Sequence, residues 1–322
     1  MAILRSTDEE DAMSQSLPAT LQEAIRYFAD PQRCLDLLSA MRWPQGPVCP
    51  RCGSNEHGFL KSRSLWQCKS CRKQYSAKVG TIFEDSPIGL DKWFCALWMI
   101  VSAKNGVSSY EIHRALKVTQ KTAWFMMHRI RLALQKGSID RKLMGNVEVD
   151  ETYIGGNARN MHHNKRMKVL RNEGSFRKAV VIGMLERKGE VRTAVLNRAS
   201  KKLIDLAVRE HVVPGSNLFS DDANAYVQFG QDYAHKVINH AEKYVEGNVH
   251  TNSIENFWSL LKRGIKGTYV SVEPFHLFRY LDEQSFRFNT RKDNDQGRFM
   301  SALSQIQGKR VEYKDLIGQT AF

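Results

Sequence analysis

The chain has 322 residues, more than one small core needs and enough for two or three compact units. Its 42% hydrophobic and 10% aromatic content is that of an ordinary folded protein, and its longest apolar run, Trp93 to Val101, is too short to span a bilayer. Lys and Arg outnumber Asp and Glu by 48 to 34, giving a formal charge of +14 and a pI near 9.5, which points to a polyanionic partner, most simply nucleic acid, rather than a membrane.

Residues 1–16 are polar, mixed in charge and read as mobile. They are acidic where an export signal needs basic and apolar residues, so a cytoplasmic protein is expected. Helices are predicted over 17–44: Thr20 and Glu23 stand in capping-box register, Asp30-Pro31 is a cap followed by the proline favoured at the first helical position, and the second helix stops before Pro44. Residues 45–80 then carry Cys49-x-x-Cys52, fifteen intervening residues, and Cys68-x-x-Cys71. That spacing suits one structural zinc ion held tetrahedrally by four thiolates, with Gly53 allowing a tight knuckle. A redox dithiol is the alternative, and a catalytic zinc would need an open position that four cysteines leave none of. Cys34 and Cys95 sit alone in helical patterns and read as small core residues.

Over 88–137 three helices are predicted. The first is apolar at helical spacing, the second opens with Ser108 and Glu111 in capping-box register, and a break at Val118-Thr119 leads into the third. Helix, short turn and helix is the helix-turn-helix arrangement, in which Gln120, Lys121 and Thr122 open the recognition helix and Trp124, Met127 and Ile130 face the core. Plain three-helix packing is the competing reading.

From Asn146 the pattern changes to strands. VEVDETYIGG reads as a half-buried strand that Asp150 closes, KAVVIGMLER and VRTAVLN follow, and KKLIDLAVREHV is an amphipathic helix. Between the first two strands, residues 157–178 are dense in Arg, Lys, His and Asn, a solvated loop or a clamp on a nucleic-acid backbone. NLFSD is a fourth strand ending at Asp221, with Asp222 its rival on the opposite face. The helix in HTNSIENFWSLLKRGIKG then places Asn252, Glu255, Ser259 and Lys262 along one side and Ile254, Phe257, Trp258, Leu261 and Ile265 along the other. An aspartate at a strand end is, by itself, commonly a turn former or cap. Several acids brought to one point repel unless a cation lies between them, and Mg²⁺ with phosphoryl-transfer chemistry is the usual reason. Three strands, then helix, strand, helix, strand and helix is the order of a ribonuclease H-like mixed sheet flanked by helices, so the fold class is α+β and multidomain, with the catalytic unit over 145–316.

WPQGPVCPRCGS, WQCKSCRKQYS, GTIF, VEVDETYIGG, SDDANAY, HTNSIENFWSLLKRG and YLDEQSFRFNTR, in that order, resemble the bacterial insertion-sequence transposases of the zinc-ribbon, Merlin-related group, whose ISXO-like ribonuclease H-type domain has a DDE/N-K active site. The resemblance implies that Asp150 and Asp221 bind catalytic Mg²⁺ or Mn²⁺, with Glu255 or Asn252 as the third ligand. Glu255 is favoured, because it lies seven residues before the basic Lys262 and a carboxylate holds a cation more firmly than an amide. In the two-metal scheme the ions sit about 3.5–4 Å apart, one activating the nucleophile and the other the leaving oxygen, and Lys262 contacts a phosphate. The resemblance further implies double-stranded DNA as partner, terminal inverted repeats read by the ribbon and helix-turn-helix, and a homodimer or higher oligomer on DNA. Two rivals stand beside it: a zinc-ribbon transcription regulator, which needs no clustered acids, and a ribonuclease H-like nuclease or resolvase, which cuts without joining.

Overall fold

The structure is a computed structural model, and it describes residues 17–135, 141–155, 167, 178–221, 229, 232–238 and 250–317. Residues 1–16, Asp222 and most of the basic segment 157–178 lie outside the described residues. The chain divides into two compact units, one formed by Met1–Ala133 with Lys292–Phe322 and the other by Leu134–Arg291.

In the first unit, helices α1 (Leu21–Phe28) and α2 (Pro31–Arg42) begin at the caps read from sequence: Thr20 and Glu23 exchange side-chain and backbone hydrogen bonds, and the Asp30 carboxylate accepts the Gln32 N–H. A three-stranded antiparallel sheet follows, β1 (His57–Leu60), β2 (Leu65–Cys68) and β3 (Gln74–Tyr75). Its inner face is aromatic, with Trp66 stacked on Tyr75 and edge-on to Trp43.

Helix α3 (Leu90–Ser102) is apolar around most of its circumference and is accordingly a central element, burying Trp93, Phe94, Leu97, Trp98 and Ile100. Phe28 from α1 and Phe299 from helix α9 (Asp295–Leu303) close on its Phe94 and Trp98, with ring centroids 5.1 to 6.3 Å apart. Cys34 is fully buried here and burial pushes its thiol up to about 12; Cys95 is half-buried and its thiol is pushed up to about 11 for the same reason. Helices α4 (Ser109–Leu116) and α5 (Gln120–Leu134) complete this unit, the first with the expected Ser108–Glu111 capping box. On α5, Met127 and Ile130 are buried and Trp124 is half-buried. Arg129, also buried, donates to the carbonyls of Ile82, Glu84 and Val311, so a charged side chain ties the GTIF turn and the C-terminal segment to this helix.

The second unit is built on a five-stranded sheet. Strands β4 (Asn146–Ile154), β5 (Ala179–Glu186) and β6 (Val191–Leu196) pair antiparallel, whereas β7 (Asn217–Asp221) joins β4, and β8 (Ala234–Ile238) joins β7, in parallel. This mixed sheet with helices on both faces is the ribonuclease H-like arrangement read from the element order. Helix α6 (Lys201–His211) covers one face, packing Ile204 and Val208 against Val147, Val149, Ile182 and Met184. Helices α7 (Asn252–Arg263) and α8 (Leu277–Asn289) cover the other, packing Ile254, Phe257, Trp258, Leu281 and Phe288 against Val181 and Leu185. The YLDEQSFRFN segment, part of α8, is thus a packing helix of this sheet.

One expectation is corrected. Asp150 does not close its strand: β4 runs on to Ile154, paired with β5 from Val147↔Glu186 to Ile154↔Ala179, so Asp150 stands at mid-strand. The apolar–polar alternation breaks at Glu151, and the strand is carried past it by its pairing with β5. The partly buried Asp150 side chain also has a partner waiting on α7.

Candidate active site

Four thiols converge in the first unit. The Sγ atoms of Cys49, Cys52, Cys68 and Cys71 all lie within 4.8 Å of one another, with Cys49–Cys71 at 3.7 Å and Cys52–Cys68 at 3.5 Å. Zn–S bonds of about 2.3 Å in a tetrahedron put sulfurs roughly 3.8 Å apart, so the donor set fits zinc. Gly53, at φ +75°, lets its N–H close on the Cys49 carbonyl at 2.9 Å, a backbone turn that any side chain would strain. The Cys71 N–H points at Cys68 Sγ at 3.5 Å; chiefly for that reason the Cys68 thiol is drawn down to about 6, which favours the thiolate a metal needs. Among the described residues this is the one acid, histidine or cysteine group whose ligand atoms already converge.

The second site lies on the α7 face of the large sheet. Side chains two apart on a strand share a face, so Glu148, Asp150 and Thr152 point toward α7 while Val147 and Val149 point toward α6. Asp150 uses both carboxylate oxygens: Oδ1 accepts the Glu151 N–H at 2.8 Å and Oδ2 accepts the Trp258 indole N–H at 2.9 Å. Of the stripe that sequence assigned to the core, Ile254, Phe257, Trp258 and Leu261 are buried while Ile265 lies half-buried just past the end of α7; Asn252, Glu255, Ser259 and Lys262 are exposed. Glu255 accepts from the Thr251 hydroxyl at 3.1 Å. Strand β7 lies beside β4 in parallel, with Val147↔Leu218 and Glu148↔Phe219 in register; the pairing ends there, two residues before Asp150 on β4 and two before Asp221 on β7. The Asp221 side chain lies outside the described residues, as does all of Asp222.

Two polar contacts on this face escape a reading by spacing. Trp258 belongs to the apolar stripe, yet its indole N–H, needing a partner once buried, finds Asp150. Glu148 falls on the strand face that alternation would leave in solvent, and it is fully buried. The only clue in the sequence is an acid set between two valines, Val147 and Val149.

Gly183 pairs with Asp150 across β4 and β5, and a Cβ there would meet the Trp258 indole at 2.6 and 2.7 Å and Ile254 Cδ1 at 2.8 Å. The helix therefore sits closer to the sheet than any side chain at this position permits. Gly183→Ala is expected to force α7 outward and cost about 1–3 kcal/mol, read as a lower urea midpoint with the same slope. A midpoint equal to the parent's would refute the close-approach argument.

On α5, Gln120 Nε2 donates to Ser109 Oγ at 2.9 Å, Lys121 Nζ lies 4.4 Å from the centre of the Tyr313 ring, and the Thr122 N–H donates to the Thr119 hydroxyl at 3.1 Å. The three residues thus form the first turn of α5, with Lys121 exposed at its tip.

Comparison with known proteins follows this division. Residues 30–74 match the transposase zinc-ribbon domain and residues 142–289 match the ISXO2-like transposase domain. A relative in Halobacterium salinarum, described as an uncharacterized protein in transposable element ISH50, is 26% identical over 252 residues, spanning 74% of this chain and 84% of that protein. No helix among the described residues is long and apolar enough to cross a membrane. The chain thus carries a transposase zinc-ribbon domain followed by an ISXO2-like transposase domain, the two domains of an insertion-sequence transposase of the ISXO2-like kind.

Proposed function

We propose that the chain is a DNA transposase that binds the terminal inverted repeats of its element and carries out metal-dependent cleavage and strand transfer. The observation that carries this reading is the tie between Asp150 and Trp258, which lays the helix bearing Asn252, Glu255 and Lys262 across the strand of Asp150, with the strand of Asp221 alongside. A pair of Mg²⁺ or Mn²⁺ ions, when bound, supplies charge to activate the attacking hydroxyl and to stabilise the leaving oxygen. Asp150 and Asp221 would hold them from the sheet, and Glu255, or Asn252, would complete the set from α7. The Thr251 hydroxyl holds the Glu255 carboxylate in place, and Trp258 fixes the rotamer of Asp150 while covering its apolar flank. Lys262, two turns along the exposed side of α7 from Glu255, meets a phosphate beside the reacting bond.

Helices α4 and α5 with the ribbon are assigned to element-end recognition, with Gln120, Lys121 and Thr122 toward the bases. The contact of Lys121 with Tyr313 is worth only about 0.5–1 kcal/mol at an exposed site, so a phosphate or base edge can draw the amine away. Lys121→Ala is expected to weaken binding to element ends and to lower the slope of log affinity against log salt by about one. Unchanged affinity and slope would remove α5 from the interface. A homodimer or higher oligomer on DNA, in the bacterial cytoplasm and on the nucleoid, is the setting this reading implies.

The deciding experiment incubates the purified protein with Mg²⁺ or Mn²⁺, a target plasmid and pre-cleaved element ends. Joined products support the transposase. Cutting without joining would instead favour a nuclease, and specific binding without either would favour a zinc-ribbon regulator.

A further inference from the structure

Glu148 is a buried carboxylate that the proposed metal chemistry does not use. Its Oε2 accepts the backbone N–H groups of Ser253 and Ile254, both at 2.9 Å, and its Oε1 takes the Arg187 Nε at 2.8 Å with His250 Nδ1 at 3.4 Å. Arg187 in turn donates to the His250 carbonyl at 2.5 Å and lies 4.1 Å from the centre of the Phe219 ring on β7.

The first turn of a helix leaves N–H groups without intrahelical partners, and a side chain at the cap usually takes them. Here the cap residue, Thr251, makes no such bond, since its hydroxyl is turned to Glu255. Glu148 takes the cap's place from another element, bringing the negative charge that a helix N-terminus favours. A buried carboxylate is costly unless paired and hydrogen-bonded, and an apolar pair of similar volume is often no less stable, so what this arrangement uniquely supplies is geometry.

That geometry is specific. Glu148 and Asp150 lie on one face of β4, about 6.7 Å apart along the strand. They grip α7 at Ile254 and at Trp258, about 6 Å apart along the helix axis. Two tethers of matched spacing set both the position of α7 along the strand and its rotation about its own axis. Those two quantities decide whether Glu255 or Asn252 comes level with Asp150.

We propose that Glu148, with Arg187 as its counter-charge, is a positioning residue of the active site, setting the α7 N-terminus so that the third metal ligand meets Asp150. This rests on the assignment of Asp150 as a metal ligand, and the test keeps the two apart.

The test uses full-length, zinc-loaded protein and compares the parent with Glu148→Gln, Arg187→Lys and Asp150→Asn. Three quantities are read: Mn²⁺ affinity from the spin-resonance signal of free Mn²⁺, amide exchange over residues 250–258 without Mn²⁺, and affinity for element-end DNA. Glu148→Gln is expected to speed exchange at Ser253 and Ile254 and to weaken Mn²⁺ binding by about 10- to 100-fold, as loss of a ligand's supporting partner does. End binding should be unchanged, and strand transfer should recover as Mn²⁺ is raised. A merely structural cap would lower the melting temperature and leave the Mn²⁺ affinity of the folded protein alone, and that outcome overturns the proposal. Should Glu148→Gln not fold, Arg187→Lys, which keeps the charge and loses the shape of the guanidinium, is expected to weaken Mn²⁺ binding in the same direction; parent-like affinity there overturns the proposal equally. If Asp150→Asn binds Mn²⁺ as the parent does, the assignment of Asp150 itself fails and takes the positioning role with it.

Discussion

Asp150→Asn is expected to bind element ends as the parent does and to leave them neither cut nor joined. The substitution is nearly isosteric and keeps an oxygen able to accept the Trp258 indole N–H, so the packing of α7 on the sheet persists. What it removes is the negative charge that, on the proposed assignment, holds a cation at the reacting phosphate. Losing one preorganised electrostatic contact in an active site costs on the order of 10²–10³ in rate, and losing a metal ligand should cost at least as much. Asp221→Asn is expected to behave alike, and Asp222→Asn to be mild, because a strand sends successive side chains to opposite faces. Comparing Glu255→Gln with Asn252→Ala then identifies the third ligand, since loss of the true one abolishes strand transfer and loss of the other only reduces it. The measurement is single-turnover strand transfer from pre-cleaved ends beside a binding titration on the same DNA. Full activity in Asp150→Asn would falsify the active-site assignment.

Cys68→Ser is expected to lose about one zinc per chain and to unfold the ribbon while leaving the large sheet intact. Binding energy in structural zinc sites is folding energy, with apparent values of about 10–16 kcal/mol in zinc-finger peptides. The strands it secures here are short, with four residues in β1, four in β2 and two in β3, and that is too little sheet to stand without the metal. A serine hydroxyl is not deprotonated near neutral pH and offers zinc a poor ligand, and the Cys71 N–H loses its sulfur acceptor. Metal analysis should show the zinc gone, and proteolysis should cut within 45–80 while the segment around β4, β5 and α7 resists. End binding should fall along with it if the ribbon reads DNA. Stoichiometric zinc in the variant would sink the four-thiolate site.

Much of this protein was legible in its residue order because the determinants are local. The cysteine spacing states its own chemistry, the caps at Thr20, Asp30 and Ser108 hold hydrogen bonds between residues two or three apart, and the two faces of α7 follow from helical periodicity. The succession of strands and helices was enough to give the mixed sheet, since connection rules leave few topologies open to it. What lay beyond the sequence depends on partners far away along the chain. Alternation alone ended β4 at Asp150, whereas pairing with β5 carries it to Ile154. Glu148 reads as a solvent-facing acid until a helix that begins more than a hundred residues later brings two N–H groups onto it. Gly183 reads as a weak point in an apolar strand until Trp258 fills the space a Cβ would need. Residues 292–322 follow the large sheet in sequence, yet Phe299 packs among Phe28, Phe94 and Trp98, because burying an aromatic ring in an existing core outweighs proximity along the chain. Local propensity and spacing named the elements and the candidate ligands; burial, which depends on what the rest of the chain brings into contact, decided which polar groups hold them in place.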